Sequence, residues 1–136
     1  NPRYGQLDFP DQPRLGSAFK IGSDFYEIPI SNMRLMGRVF PLGGGGYFRL
    51  FPWSFFRAGI ERILKYEGTY MFYFHPWEID PLQPRLNRGW KTALFKHYVN
   101  LSRTEDRLHS MLRSFSKCRF LSCSQYLSCV QRDNLV

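Results

Sequence analysis

The chain has 136 residues, of which 43% are apolar and 18% aromatic, and it carries a net charge of +8. That length allows one domain or part of a larger one, and the apolar share excludes a low-complexity or solvating polypeptide. No apolar run approaches the roughly 18–20 residues of a membrane span, and the basic residues stand singly, not in the block a nucleic-acid footprint would use.

Residues 1–24 hold Pro2, Pro10, Pro13, Gly5, Gly16 and Gly22 without period, which predicts an extended surface segment pinned by Tyr4, Phe9 and Phe19. Phe25–Ile30 reads as a short strand that Pro29 places at an edge or a strand end, with Glu27 either an outward-facing edge charge or a carboxylate orienting a neighbouring Arg or His. Ser31 to Gly37 reads as a turn, and Arg38–Leu42 as a second short extended piece. Gly43-Gly44-Gly45-Gly46-Tyr47 lacks the Lys-Ser/Thr ending of a phosphate loop and is expected to be a hinge or tight turn. Pro52 suits a first helical turn, and a helix is predicted from Trp53 to about Tyr66. Phe56, Ile60, Ile63 and Leu64 share one face of it, Arg57, Glu61, Arg62 and Lys65 the other, and Gly68 stops it.

The next stretch organises the rest. Thr69–Phe74 is β-branched and aromatic without charge, which predicts a strand buried on both faces. It ends at His75, because Pro76 cannot donate a ladder bond, and Trp77, Glu78 and Asp80 follow. Such a strand exit is where α/β proteins place chemistry, although a histidine there can equally bond a loop carbonyl. Residues 81–92 read as a polar loop, Phe95–Tyr98 as a helical turn or loop, and His97 as structural or exposed. Ser102 and Glu105 match a capping box ahead of the stripe Leu108, Met111, Leu112 and Phe115. Cys118 to Ser122 is expected to add a short strand and Ser124–Cys129 a last turn, with fraying beyond Gln131. The spacing of Cys118, Cys123 and Cys129 fits neither a zinc knuckle nor a paired framework, so no metal is read there.

With His75-Pro76-Trp77-Glu78 and the glycine run placed, the chain resembles the C-terminal part of bacterial polysaccharide deacetylases, in the branch associated with exosortase and exopolysaccharide clusters. The resembling pieces are Tyr26–Ser31, Gly43–Arg49, Phe72–Arg85 and His97–Glu105. The resemblance implies an α/β fold, the C-terminal portion of a distorted (β/α) barrel that is incomplete on its own. Residues 1–115 would belong to that barrel and 116–136 would be a short extension. It implies a metal-dependent hydrolase that removes N-acetyl groups from an amino-sugar polymer. His75 matches the family's general acid, and an imidazole can protonate a departing amine at neutral pH. Trp77, Tyr47 and Glu78 would contribute to the substrate groove.

The family's divalent, zinc-like metal is held by an Asp and two His that have no counterpart in this sequence, whose histidines are His75, His97 and His109. The chain, which opens on Asn-Pro-Arg, is therefore expected to be a segment of a longer polypeptide. Its partner would be the missing N-terminal part of the same barrel, and alone it would not turn over the polysaccharide. The rival reading is a non-catalytic module, either carbohydrate-binding through Trp53, Trp77 and Trp90 or a basic nucleic-acid binder.

Overall fold

In chain order the computed structural model contains β1 (Arg14–Leu15), β2 (Ala18–Lys20), β3 (Tyr26–Glu27), β4 (Met33–Leu35), β5 (Arg38–Phe40), α1 (Gly45–Leu50), α2 (Trp53–Glu67), α3 (Lys91–Tyr98), α4 (Thr104–Ser114) and α5 (Cys123–Asp133). Short 3-10 turns lie at Pro76–Ile79 and Leu101–Arg103. The structure describes residues 14–85 and 91–133. These divide into two units, one from the described parts of 1–29 and 120–136, the other from 30–119. The architecture is mixed α/β, half helical with two small antiparallel sheets, and no barrel is closed among the described residues.

In the first unit, Gly16 at φ +58° turns β1 back onto β2, and β2 pairs with β3. The expected extended segment is thus partly a hairpin, while Tyr4 and Phe9 lie outside the described residues. The strand expected at Phe25–Ile30 contracts to Tyr26–Glu27. The expected final strand does not form, and α5 takes the place of the single turn. Ser122 starts this helix: its hydroxyl accepts the Gln125 N–H at 3.3 Å while Gln125 Oε1 accepts the Ser122 N–H at 2.8 Å, a reciprocal capping box. Tyr126 on α5 accepts the Ser17 N–H at 2.8 Å, and Gln131 donates to the Tyr26 hydroxyl at 2.9 Å.

In the second unit, β4 and β5 form a hairpin where a turn and one extended piece were expected. Met36 and Gly37, at φ +49° and +73°, are its two-residue tip, the backbone a type I′ turn requires. Helix α2 follows the expected span, and Gly68 ends it in the left-handed region, its N–H on the Leu64 carbonyl at 3.0 Å. Phe56, Ile60 and Ile63 bury one face of α2 against Met33, Leu42, Phe48 and Met111. Each of these large side chains contributes about 1.5–3 kcal/mol by leaving water. Gly59 is part of the fit, because a Cβ there would strike Leu42 Cδ1.

Three expectations fail in this unit. Thr69–Phe74 is not a strand buried on both faces: it forms one parallel bridge, Tyr73 with Gly44, and Tyr73 is 45% exposed. The physical reason is its neighbours. The glycine run bends directly into α1 after Tyr73 N–H to Gly43 O at 2.9 Å and Gly45 N–H to Tyr73 O at 3.0 Å. Along the same edge Ser31 takes up Met71, its hydroxyl accepting the Met71 N–H at 2.8 Å and its own N–H donating to Met71 O at 3.3 Å. The glycine run itself is no hinge, since Gly44 is the residue before α1 and Gly45-Gly46 its first turn. Nor does Ser102 cap α4. Asn100, left-handed at φ +55°, opens a 3-10 turn, and α4 begins only at Thr104, whose hydroxyl donates to Asn100 O at 3.1 Å.

Candidate functional site

Pro76 sets the first position of the 3-10 turn that follows the extended chain, and its fixed φ suits that place. The turn folds Glu78 back beneath His75. Glu78 N–H donates to His75 O at 2.9 Å, and Glu78 Oε2 accepts the His75 N–H at 2.8 Å. The other oxygen, Oε1, accepts from Arg49 Nε at 3.1 Å and Nη2 at 3.0 Å. This ion pair lies in the interior: Arg49 is 1% exposed and Glu78 2%. Arg49 Nη1 goes further, to the carbonyls of His97 at 2.7 Å and Val99 at 3.1 Å.

Two buried charges persist only when their bonding capacity is filled, and here no buried side-chain donor or acceptor among the described residues lacks a partner. The carboxylate rests on Gly45, where any Cβ would run into Oε2. Close approach is thus one reason for a glycine in that run. Arg107 closes α1 from below, donating to Phe48 O at 2.7 Å, Arg49 O at 2.9 Å and Phe51 O at 2.6 Å. Burial, and after it the charge of Arg103, lowers the Arg107 pKa. Asn100 Nδ2 also donates to Arg49 O, at 2.8 Å.

Above the ion pair lies a stack of rings. Trp77 is parallel to His97 at 4.1 Å and 15°, and to His75 at 5.8 Å and 11°. The Arg49 guanidinium lies 5.2 Å from the Trp77 ring centre. Tyr73 meets His75 edge-on at 5.6 Å and 88°. Gln83 orders the far side, its Oε1 3.1 Å from His97 Nε2 and its Nε2 donating to the carbonyls of Trp77 and Asp80 at 2.8 and 3.0 Å. His75 is the exposed member of the stack, whereas Trp77 and His97 are half-buried.

Of the four residues singled out from the sequence, His75, Trp77 and Glu78 come together, and Tyr47 does not join their stack. Tyr47 is 43% exposed and packs its ring on Phe51 at 5.5 Å, roughly 200° around α1 from Arg49. Trp77 has its ring covered by His75, His97 and Arg49, and Glu78 is underneath with both oxygens engaged. The sequence reading gave no role to Arg49, one of the singly placed bases, and did not see Tyr73 and His97 as neighbours of Trp77 and His75. A lone charge inside Phe48-Arg49-Leu50-Phe51 was the available signal for Arg49.

Among the described residues no three of His, Cys, Asp and Glu are grouped as metal ligands. What the arrangement offers is one solvent-facing imidazole on a rigid mount, beside an exposed tyrosine ring. Also among the described residues, no helix is long and apolar enough to cross a membrane.

Fold and site thus define a small mixed α/β domain built around an arginine–glutamate pair that underlies a histidine–tryptophan stack. The chain belongs to the family described as a domain of unknown function (DUF3473), whose model matches residues 1–128. Neither a curated protein nor a solved structure matches it.

Proposed function

We propose that this chain contributes the general acid and part of the groove of a polysaccharide N-deacetylase acting on an N-acetylated amino-sugar polymer. The observation that carries the reading is the exposed His75 imidazole, held over Trp77 and anchored through its backbone to a buried carboxylate. A proton donor has to be both reachable and fixed in direction, and an imidazole has the right pKa range at neutral pH. Added to this is the resemblance of the His75-Pro76-Trp77-Glu78 block to the deacetylases. In this reading water adds to the acetamide carbonyl. As the tetrahedral intermediate collapses, the C–N bond breaks, the His75 imidazolium gives its proton to the departing amine, and acetate leaves. The divalent metal and the base for the water would be held by residues other than those described. Tyr73, exposed beside His75, is the ring best offered to a sugar face.

A non-catalytic sugar-binding module is less well supported. Trp53 packs edge-on to Phe48 at 6.4 Å and partly buries itself against the core, Trp77 is half-buried and stacks on His97 at 4.1 Å, and Trp90 lies outside the described residues. A nucleic-acid footprint is likewise weakened, because Arg49 and Arg107 spend their guanidinium groups on interior carbonyls.

The test is His75→Ala in the enzyme that contains this chain. Deacetylation should fall roughly 10²–10⁴-fold in kcat, the usual worth of one positioned proton donor. An activated aryl ester, whose leaving group departs without a proton, should suffer much less. Equal losses on amide and ester, or no loss on either, would refute the assignment.

A further inference from the structure

We infer that Glu78, fixed by Arg49, is a positioning residue for the His75 imidazole, the ion pair acting on the ring through the His75 backbone. This rests on the proposed role of His75 and adds to it the device that aims the proton. The argument starts from where the bonds end. A buried pair that served the core alone would need its spare lone pairs and protons filled by any available backbone. Here Glu78 Oε2 is spent on the N–H of His75, and Arg49 Nη1 on the carbonyl of His97. Those two residues carry the imidazoles that lie parallel to Trp77. One guanidinium therefore holds the backbone of both stacked histidines, directly at the His97 carbonyl and through Glu78 at the His75 N–H. Pro76 follows His75 and stiffens the chain on its other side.

The floor beneath is equally restrictive. Gly45 leaves no room for a Cβ under Oε2, so the carboxylate has little freedom to slide. Glu78→Gln keeps the volume but replaces one acceptor by an NH2 group. Whichever way the amide turns, that NH2 meets either the His75 N–H or the Arg49 guanidinium, and one of the two tethers is lost.

Two NMR measurements on the full 136-residue chain test this. In the unaltered protein the His75 amide, although on an exposed residue, should exchange at least about 10²-fold more slowly than in a free peptide, because its bond opens only with the buried pair. Exchange at the free-peptide rate would overturn the inference. In Glu78→Gln the imidazole C–H signals of His75, displaced by the Trp77 ring, should move toward free-imidazole positions while the methyl signals of Ile60 and Ile63 stay in place. Unmoved His75 signals over an intact core would also overturn it. If Glu78→Gln loses the core signals as well, the exchange rate of the unaltered chain decides alone. Neither readout requires turnover. Intact turnover in His75→Ala would therefore remove the general-acid role while leaving the tether standing.

Discussion

Replacing Arg49 by methionine keeps an unbranched chain of similar length and deletes the charge with every donor. Four hydrogen bonds go: two to Glu78 Oε1 and one each to the His97 and Val99 carbonyls. What remains is a carboxylate 2% exposed with no counter-charge. Breaking one side of a buried pair is worth about 3–5 kcal/mol, and each orphaned carbonyl adds up to roughly 1–3 kcal/mol, though not additively. A loss of about 4–5 kcal/mol is therefore expected, a large part of the 5–15 kcal/mol that typically holds a domain. At about 4 °C per kcal/mol for a chain of this size, Tm should fall by roughly 15–20 °C. Urea unfolding followed by tryptophan fluorescence is the assay, with an unchanged slope as the condition for comparing midpoints. Arg49→Met combined with Glu78→Met should recover part of the loss, since the stranded charge is gone, but not all, since the His75 N–H and the two carbonyls stay unpaired. A single variant within about 1 kcal/mol of the parent would refute the reasoning. So would a double variant less stable than the single one.

Gly59→Ala should destabilise by about 1–3 kcal/mol despite its better helix propensity, because the new methyl enters the space of fully buried Leu42; equilibrium unfolding that showed a gain would contradict this. Burial pushes the Tyr70 phenol well above its ordinary range, and its hydroxyl donates to Leu42 O at 2.6 Å. With the folded value raised, stability is complete below the unfolded pKa of about 10 and declines above it, by up to ~1.4 kcal/mol per pH unit. Tyr70→Phe should flatten that alkaline decline in pH-dependent melts. Met36 holds φ +49° and is 94% exposed, so Met36→Asn, which makes the preferred Asn-Gly tip, should raise the free energy of unfolding measured in urea by a few tenths to about 1 kcal/mol.

Helix α2 and its Gly68 stop were legible because the apolar period, the proline and the glycine agree on one answer. The stretch at 69–74 misled for a related reason: aromatic and β-branched composition reports a wish to be buried, but not whether two neighbouring strands exist to pair with. The pattern Ser-x-x-Glu/Gln occurs at Ser102–Glu105, at Ser122–Gln125 and at Ser128–Gln131, and only the second is used as a cap. At the first, buried Leu101 winds into a 3-10 turn behind left-handed Asn100 and delays α4 until Thr104. Of the site, the position of His75 ahead of a proline could be read directly. The partner of Glu78 could not, because Arg49 lies 29 residues earlier and nothing local marks the two as a pair.

The bonds of Arg49 also impose an order in time. Its acceptors come later in the chain, 29 residues on at Glu78, 48 at His97 and 50 at Val99, and the groups that close on the end of α1 follow at Asn100 and Arg107. While a ribosome is producing the polypeptide, the guanidinium therefore emerges long before anything exists to receive it. Its pairing with Glu78 can form first, but its full set of bonds cannot close until residue 99 is free of the exit tunnel. The bonds that complete the earliest helix of this unit thus come from some of the last residues of the unit to be made.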